Sequence, residues 1–365
     1  MTNRTILFIL HLPPPVHGAA MVGHYINESE LINSEFDCYY INLTTASELE
    51  DIGKLKIKKL FYFYRLLRQI HFIVKDIQPK LVYITPNAKG GPFYKDFVVV
   101  MMLKMMGCEI VAHYHNKGVV TRQNRWLDNM LYRRFFKGIK VILLGETLYQ
   151  DVKKYVRRED MYICANGIPQ EDTKNDDLPH RISRILFLSN LLIDKGILVL
   201  LDALKILKEK DVDFSCDIVG GETAVIDAVR FDKEIKKRNL EDCVSYRGKQ
   251  YGIIKNEYLK NADVFVHPTN DDCFPLVLLE AMQHGLPIVT TNEGAISDIV
   301  DDGKTGLIAE KNNPEDLADK IDLLLNDVAL RKQMGAEGRK KYERAFTLKC
   351  FEKRLSDILH TLTES

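Results

Sequence analysis

Two acidic residues beside a short apolar stretch are the strongest candidates for chemistry in this sequence. Asp272 precedes the run FPLVLLEAM, Phe274 to Met282, and Glu280 is the one charged residue inside that run. A helix that is apolar on all sides is buried, and a carboxylate within it is costly unless it has a partner. The free N–H groups and the dipole of a helix N-terminus favour anions. The pattern predicts an anion site at the helix start and an inward-facing acid; the alternative is a capping Asp272 and a surface Glu280.

A lysine in a strand-to-helix loop is the second candidate. The segment RILFLSNLLIDKGILVLLDAL, Arg184 to Leu204, contains an apolar strand pattern, a loop with Asn190, Lys195 and Gly196, and a helical pattern. A lysine in such a loop can meet a diphosphate as a point charge. A lysine that is merely exposed to solvent is the alternative.

Short apolar runs and longer helical patterns alternate along the whole chain and must position these residues. This alternation predicts an α/β protein with parallel sheets and crossover helices. The predicted strands are Ile6–Leu10, Leu81–Ile84, Ile110–His113, Val141–Leu144, Ile185–Leu188, Cys216–Val219, Val244–Tyr246, Val264–Val266 and Ile288–Thr290. The alternation is interrupted by the polar, acidic segment Pro169–Arg181, which predicts a linker.

Polar and glycine residues follow each predicted strand of the second half. They are Ser189-Asn190, Gly220-Gly221, Gly248, His267-Pro268-Thr269 and Thr291-Asn292. Ligands of open parallel sheets bind beyond the carboxyl ends of the strands. We therefore expect a binding site at this edge of the second sheet.

Length and composition fit a two-domain soluble enzyme. The chain has 365 residues, with 51 Lys and Arg against 51 Asp and Glu, so its net charge does not indicate a nucleic-acid partner. Seven cysteines without metal-ligand spacing favour a reducing compartment. The start, MTNRTILFILHLPPP, lacks the features of a secretion signal, and no stretch approaches the roughly 20 apolar residues that span a bilayer. We expect a cytoplasmic protein that at most rests on a membrane.

The order and spacing of several motifs resemble retaining glycosyltransferases of family 4, which have the GT-B fold. The family pattern is Glu-x7-Glu, commonly within EGFPLVLLEAM, where this chain has DCFPLVLLEAM. Other segments that resemble the family are PPPVHGAA near the N-terminus, AHYHN (Ala112 to Asn116), ANGI (Ala165 to Ile168), LSNLLIDKG and NEGAISDIVDDGKTGLIAE (Asn292 to Glu310). The resemblance covers nearly the whole chain.

The resemblance implies a domain plan of two doubly wound Rossmann-like domains that face a cleft. Residues 1–170 would form the domain on the acceptor side, with a C-terminal helix of about residues 346–365 packing back on it. Residues 171–181 would be the linker, and residues 182–345 would bind the nucleotide sugar.

The resemblance also assigns roles to single residues around a nucleotide-sugar donor. Glu280 matches the acid that binds the donor ribose, Asp272 the acid that faces the transferring sugar, and Lys195 the lysine that binds the phosphates. The loop and helix start that lie near sugar and phosphate correspond to Phe274, Leu276 and Val277.

Four further positions complete the predicted site. Gly18 matches a glycine that lets the backbone approach the diphosphate, and His115 matches a histidine near the reacting carbon. Asn190 and Gly248, in loops after predicted strands, join the donor-binding set. His115, Lys195 and Asp272 are the predicted catalytic residues.

Three positions depart from the family pattern. Asp272 replaces a Glu and is one methylene shorter, Asn190 stands where the family has Arg, and Asp298 replaces a Glu in the later segment. The first two touch the predicted donor site, so they are compatible with a different donor, a slower enzyme or an inactive relative.

The chemistry that the resemblance implies is transfer of a hexose-type sugar with retention at the anomeric carbon, without a metal or a cofactor. A nucleotide diphosphate is already a good leaving group, so preorganised groups aimed at its growing charge are the expected source of catalysis. Two alternatives remain: a GT-B sugar-nucleotide epimerase and a non-catalytic sugar-nucleotide binder. A Rossmann dehydrogenase is disfavoured, because HLPPPVHGAA lacks G-x-G-x-x-G.

The expected partners are a UDP-sugar, the commonest donor in the resembling group, and a glycan or lipid-linked acceptor. Capsule, exopolysaccharide or lipopolysaccharide synthesis is the implied setting. The stretch Lys54–Lys75 has seven Lys and Arg, no acid before Asp76, and several aromatic residues. Leu60, Phe63, Leu67, Ile70 and Val74 fall on one helical stripe, which we expect to face the core. The basic and aromatic residues suit contact with an anionic membrane at its inner face, and an ordinary amphipathic helix with a solvated basic face is the alternative.

Overall fold

The protein is described here by a computed structural model of residues 4–14, 18–43, 56–171 and 182–364, with side chains from residue 60 onward in the helix that starts at Lys56. The chain divides into two compact units. The first is Met1–Asn166 with Leu348–Ser365, and the second is Gly167–Thr347. Of the predicted linker 171–181, all but Glu171 lies outside the described residues.

The first unit contains a parallel six-stranded sheet with the strand order β2-β1-β3-β4-β5-β6. Its described strands are β1 (Thr5–Leu10), β2 (Asp37–Asn42), β3 (Leu81–Ile84), β4 (Ile110–His113), β5 (Lys140–Leu143) and β6 (Met161–Ile163). The central strands are continuous apolar runs, and every residue of β3 and β4 is buried. Helices that cover both faces of a parallel sheet bury its strands on both sides, which accounts for these apolar runs.

The helices of the first unit connect these strands as crossovers. They are α1 (Gly18–Asn27), α2 (Glu30–Glu35), α3 (Lys56–Ile77), α4 (Gly90–Met105), α5 (Val119–Arg122), α6 (Trp126–Phe136) and α7 (Tyr149–Val152), with α15 (Leu348–Glu364) added from the C-terminus. The helix α15 packs on α2, where Glu35 accepts a hydrogen bond from the Ser356 hydroxyl and lies 3.2 Å from Nε2 of His360. The ring of His360 also lies 4.6 Å from that of Phe36.

One predicted face of α3 differs from the structure. Leu66, Ile70 and Val74, spaced four residues apart, form its buried stripe, whereas Leu60 is 69% exposed. The prediction that Leu60 faces the core is therefore wrong. Residues at i and i+4 share a helix face, and the buried stripe begins about a turn and a half after Leu60.

The second unit repeats the plan with a parallel sheet in the strand order β12-β11-β10-β7-β8-β9. Its described strands are β7 (Ser183–Leu188), β8 (Phe214–Val219), β9 (Val244–Tyr246), β10 (Val264–His267), β11 (Ile288–Thr291) and β12 (Gly306–Ala309). The helices are α8 (Ile197–Glu209), α9 (Ala228–Lys236), α10 (Gly252–Asn261), α11 (Leu276–Gln283), α12 (Ile296–Ile299), α13 (Pro314–Asn326) and α14 (Val328–Ala345). Both sheets confirm the predicted parallel α/β class.

Candidate functional site

Two loops of the second unit meet at the carboxyl edge of its sheet. The loop after β7 ends in a single 3-10 turn, Ile193–Lys195, and the carbonyl oxygen of Asp194 accepts a 2.7 Å hydrogen bond from the backbone N–H of Asn270, in the loop after β10. Gly196 follows the turn with φ of +78°, and a Cβ there would lie 1.9 Å from the carbonyl oxygen of Pro268. Only glycine fits this approach, which fixes Lys195 beside the second loop.

Lys195 and Asp272 form an ion pair within these loops. The Lys195 Nζ lies 2.5 Å from the Asp272 Oδ2 and also donates to the carbonyl oxygen of Asp271 at 3.0 Å. The two side chains are only 21% and 16% exposed. Two residues with separate predicted roles, phosphate binding and contact with the sugar, are therefore in direct contact.

His267 also contacts the Asp272 carboxylate. Its Nε2 lies 3.3 Å from the Asp272 Oδ2, and because an ionised carboxylate only accepts, this nitrogen is the donor. The His267 ring is buried, with the rings of Phe187 and Phe265 stacked at 6.3 and 6.5 Å. Burial by itself raises the pKa of Asp272, but the His267 hydrogen bond and the Lys195 charge outweigh burial and lower the pKa to about 2. Asp272 is thus ionised at neutral pH.

The helix α11 presents Glu280 on a half-open face. Leu278, Leu279, Ala281 and Met282 are buried, whereas Leu276, Val277 and Glu280, at i, i+1 and i+4, are only partly buried. The composition predicted a helix buried on all sides; that prediction is wrong, because one face of α11 is partly exposed. Phe274, before the helix, is buried with its ring 6.1 Å from that of Phe346.

Glu280 has the charged partner that a half-buried acid requires. The Lys255 Nζ, from α10, lies 2.9 Å from the Glu280 Oε1. Burial raises the pKa of Glu280, and the Lys255 ammonium opposes that shift. The other oxygen, Oε2, is shielded from solvent and has no hydrogen-bond partner among the described residues.

Asn190 and Gly248 belong to the loops after β7 and β9. The Asn190 Oδ1 accepts a 3.0 Å hydrogen bond from the backbone N–H of Gly221, and the Gly248 carbonyl oxygen accepts a 2.9 Å bond from that of Gly220. Asn190 is exposed and binds Gly221, whereas Lys195, five residues later, binds Asp272. A Cβ at Gly221 would lie 3.4 Å from the Lys249 Cδ, which brings a further lysine next to Asn190.

Gly18 and His115 lie in the first unit. Gly18 begins α1, and no atom of the described residues would lie within 4 Å of a Cβ at this position. His115 follows β4, with its ring 4.2 Å from that of the buried His113. Asn116 binds the loop after β3, since its Oδ1 accepts from the Ala88 N–H at 2.6 Å.

Two contacts of the site, His267 with Asp272 and Lys255 with Glu280, are not predicted by the sequence analysis. His267 was singled out only as a strand-end residue, although a histidine at the end of a buried strand, five positions before an acid, was a usable signal. Lys255 gave no signal, because it lies 25 positions from Glu280 in a different helix.

Neither a metal site nor a membrane span is evident in the part of the chain that the structure describes. There, no group of three or more His, Cys, Asp or Glu side chains is arranged to hold a metal ion. No helix of that part is both long enough and apolar enough to cross a membrane.

The family comparison falls on the second unit. Residues 170–341 match the family model described as "Glycosyl transferases group 1". The match covers a little under half of the chain and nearly all of the second unit. Lys195, His267, Asp272 and Glu280 all lie within the matched residues.

Two relatives in sequence each match part of this chain and part of their own length. The chain is 31% identical over 220 residues to an uncharacterized glycosyltransferase of Methanocaldococcus jannaschii, covering 59% of each chain. It is 27% identical over 214 residues to the capsular polysaccharide biosynthesis glycosyltransferase CapM of Staphylococcus aureus, covering 54% of this chain and 53% of CapM. The chain thus spans little more than half of the length of these two relatives.

Solved structures of similar fold match nearly the whole chain. Sucrose-phosphate synthase from Thermosynechococcus elongatus has a TM-score of 0.78 at 18% identity, covering 98% of both chains. The lipopolysaccharide outer core galactosyltransferase WaaB has a TM-score of 0.76 at 14% identity, covering 98% of this chain and 99% of WaaB. At these identities the likeness shows the fold, which is GT-B.

Proposed function

We propose that this protein is a retaining glycosyltransferase of family 4 that takes a hexose-type sugar from a nucleotide diphosphate donor. The observation that carries the proposal is the group of charged residues within the stretch that matches group 1 glycosyltransferases, where Lys195 and Asp272 lie on adjoining loops and Glu280 lies on the helix α11. Open parallel sheets bind their ligands beyond the carboxyl ends of the strands.

Lys195 and the start of α11 are the proposed diphosphate contacts. An ammonium has three N–H donors, and the described contacts of Lys195 use two of them, on Asp272 and Asp271. The N–H groups of Leu276 and Val277 are among those that a helix leaves without an intrahelical acceptor. These donors suit the charge that grows on the leaving diphosphate as the sugar departs.

Asp272 and Glu280 are the proposed contacts of the sugar and of the ribose. An ionised Asp272, held by His267, faces the sugar as an acceptor and stabilises positive charge that develops on its ring. Glu280 offers its Oε2, which has no partner in the described part of the chain, to a ribose hydroxyl. His115 of the first unit is proposed to act near the reacting carbon, and Gly18 to admit the diphosphate.

A UDP-sugar is the proposed donor, and a glycan or lipid-linked saccharide the proposed acceptor. One solved structure of the same fold, Alr3699/HepE of Anabaena, was obtained in complex with UDP and glucose and has a TM-score of 0.70 to this chain. Two relatives are named for capsular polysaccharide and amylovoran biosynthesis. Both names support synthesis of a bacterial surface polysaccharide.

We also propose peripheral contact with the inner face of an anionic membrane through α3. Exposed apolar and aromatic side chains lie on this helix among arginines: Leu60, Phe61, Tyr62, Tyr64 and Phe72. The Arg68 guanidinium lies 5.5 Å from the centre of the Phe72 ring, and Arg65 is exposed. Basic and aromatic groups together favour a lipid headgroup region.

A thermal-shift screen of nucleotides and nucleotide sugars tests donor binding. A ligand that binds only the folded protein raises its apparent stability, so we expect a nucleoside diphosphate to raise the melting temperature. No shift with any nucleotide would reject the proposal. A shift with UDP but no sugar transfer would favour the non-catalytic binder, and interconversion of the free sugar nucleotide would favour the epimerase.

A further inference from the structure

The pairing of Glu280 is asymmetric. One carboxylate oxygen, Oε1, is 2.9 Å from the Lys255 Nζ, and the other, Oε2, is shielded from solvent without a hydrogen-bond partner among the described residues. Each of the two side chains is 21% exposed. A buried carboxylate oxygen without a partner is costly, and such an atom in a native protein calls for an explanation.

We propose that Lys255 is a positioning residue that orients Glu280, so that Oε1 stays on the ammonium and Oε2 is presented to a hydroxyl of the bound nucleotide. This inference rests on the proposed function, because it concerns the same donor site. It adds a residue that none of the motifs in the sequence analysis contains, because Lys255 belongs to α10 and Glu280 belongs to α11.

The position of Lys255 is secured by α10 itself. The neighbouring Asn256 donates a side-chain hydrogen bond to the Glu171 carboxylate, which ties the helix to the segment before β7. Leu259 anchors the same helix in the core. Lys255 therefore approaches Glu280 from a helix with contacts of its own.

Lys255 also affects the charge of Glu280. Burial raises the pKa of Glu280, Lys255 lowers it, and the nearby Glu171 raises it slightly. The other titratable groups near this end of α11 are His284, Lys260 and Arg339. Without Lys255, burial and Glu171 would raise the pKa further, and a protonated Glu280 would be a poorer acceptor for a hydroxyl.

The test compares two ligands that differ only in the ribose hydroxyls. UDP and 2′,3′-dideoxy-UDP are titrated by calorimetry into the wild-type protein and into Lys255→Met at pH 6, 7.5 and 9. We expect Lys255→Met to weaken UDP binding about tenfold at pH 6. The loss should be smaller at pH 9, because Glu280 of the variant is ionised again at the higher pH. Binding of the dideoxy nucleotide should be equal in both proteins.

Controls separate positioning from damage to the fold. Lys260→Met removes a lysine from the same helix and should bind UDP like the wild type, and Lys255→Arg should restore most of the affinity. Lys255→Gln keeps a polar group if the methionine variant folds poorly. Equal loss of both ligands, or an unchanged UDP affinity at every pH in folded Lys255→Met or Lys255→Gln, would overturn the inference. Failure of the wild type to bind any nucleotide would instead reject the proposed function.

Discussion

The Nζ of Lys195 lies 2.5 Å from the Oδ2 of Asp272, and this contact joins two loops that follow non-consecutive strands of one sheet. The Asp272 carboxylate holds the ammonium in place before a ligand arrives. In the proposed function a diphosphate would share the lysine with Asp272, so the ion pair would set the position of the lysine and the part of its charge that the carboxylate leaves unneutralised.

Lys195→Ala is expected to lower turnover far more than it lowers stability. In the proposed function the lysine meets charge that grows in the transition state, so its loss would act on the chemical step. We expect turnover to fall more than about fivefold, measured as UDP release from the donor at saturation. Lys205→Ala removes an exposed lysine of α8 and serves as the control. A smaller loss in Lys195→Ala would show an ordinary surface lysine.

Asp272→Asn is expected to destabilise the protein in a pH-dependent way. The pKa of Asp272 is lowered from 3.8 to about 2, so its ionised form stabilises the fold above pH 4, and this contribution is lost as the pH falls toward 2. We expect a loss of about 2 kcal/mol in the free energy of unfolding at pH 7 and a smaller loss at pH 3. Urea unfolding at both values measures it, with Asp213→Asn, an exposed acid of the same unit, as the control. A difference that does not depend on pH would contradict the ion pair.

Glu280→Gln is expected to weaken UDP binding at least about tenfold while the fold survives. The substitution keeps the size of the side chain and removes the charged acceptor. Because the pKa of Glu280 is raised, its charge is not a source of stability at neutral pH, so the melting temperature should not fall sharply. Calorimetry with UDP measures the affinity, and Glu257→Gln on the exposed side of α10 is the matched control. Unchanged binding would remove Glu280 from the donor site.

Membrane contact through α3 predicts co-sedimentation with vesicles that contain anionic lipid. Each basic residue near such a surface contributes roughly 1 kcal/mol, and salt screens the attraction, so binding should be lost at high salt and absent with neutral vesicles. Replacing Lys56, Lys58 and Lys59 with Glu should weaken it. Replacing the exposed Lys233, Lys236 and Lys237 of the second unit should have little effect. Wild-type protein that stays in the supernatant at low salt would favour a soluble acceptor.

The interior strands could be predicted from the sequence, and most of the edge strands could not. The strands β2, β6 and β12 were missed, and each is the edge of its sheet. An edge strand is covered on fewer sides, so β2 has a mixed burial pattern and β6 is only partly buried. Their short runs, CYYI in β2 and MYI in β6, each contain one branched aliphatic residue, unlike the Val-, Ile- and Leu-rich runs that mark an interior parallel strand.

The candidate site could be predicted as far as local sequence determines it. The loop residues Lys195 and Asp272 stood out because they follow strands, and Gly196 because it precedes a helix. The contact between Lys195 and Asp272 depends on strand order, which brings together two residues that are 77 positions apart in the sequence. The contact of Glu280 with Lys255, 25 positions away, depends on the placement of two helices. Spacing along the chain carries no record of such pairs.

Release of UDP from UDP-hexoses, with and without a lipid-linked saccharide extract, tests the central claim most directly. We expect the wild-type protein to release UDP from at least one UDP-hexose, and the acceptor extract to stimulate this release. The sugar of the product should have the same anomeric configuration as in the donor. Lys195→Ala should show little release under the same conditions. Binding of UDP without release from any donor would contradict a glycosyltransferase and leave a sugar-nucleotide-binding protein.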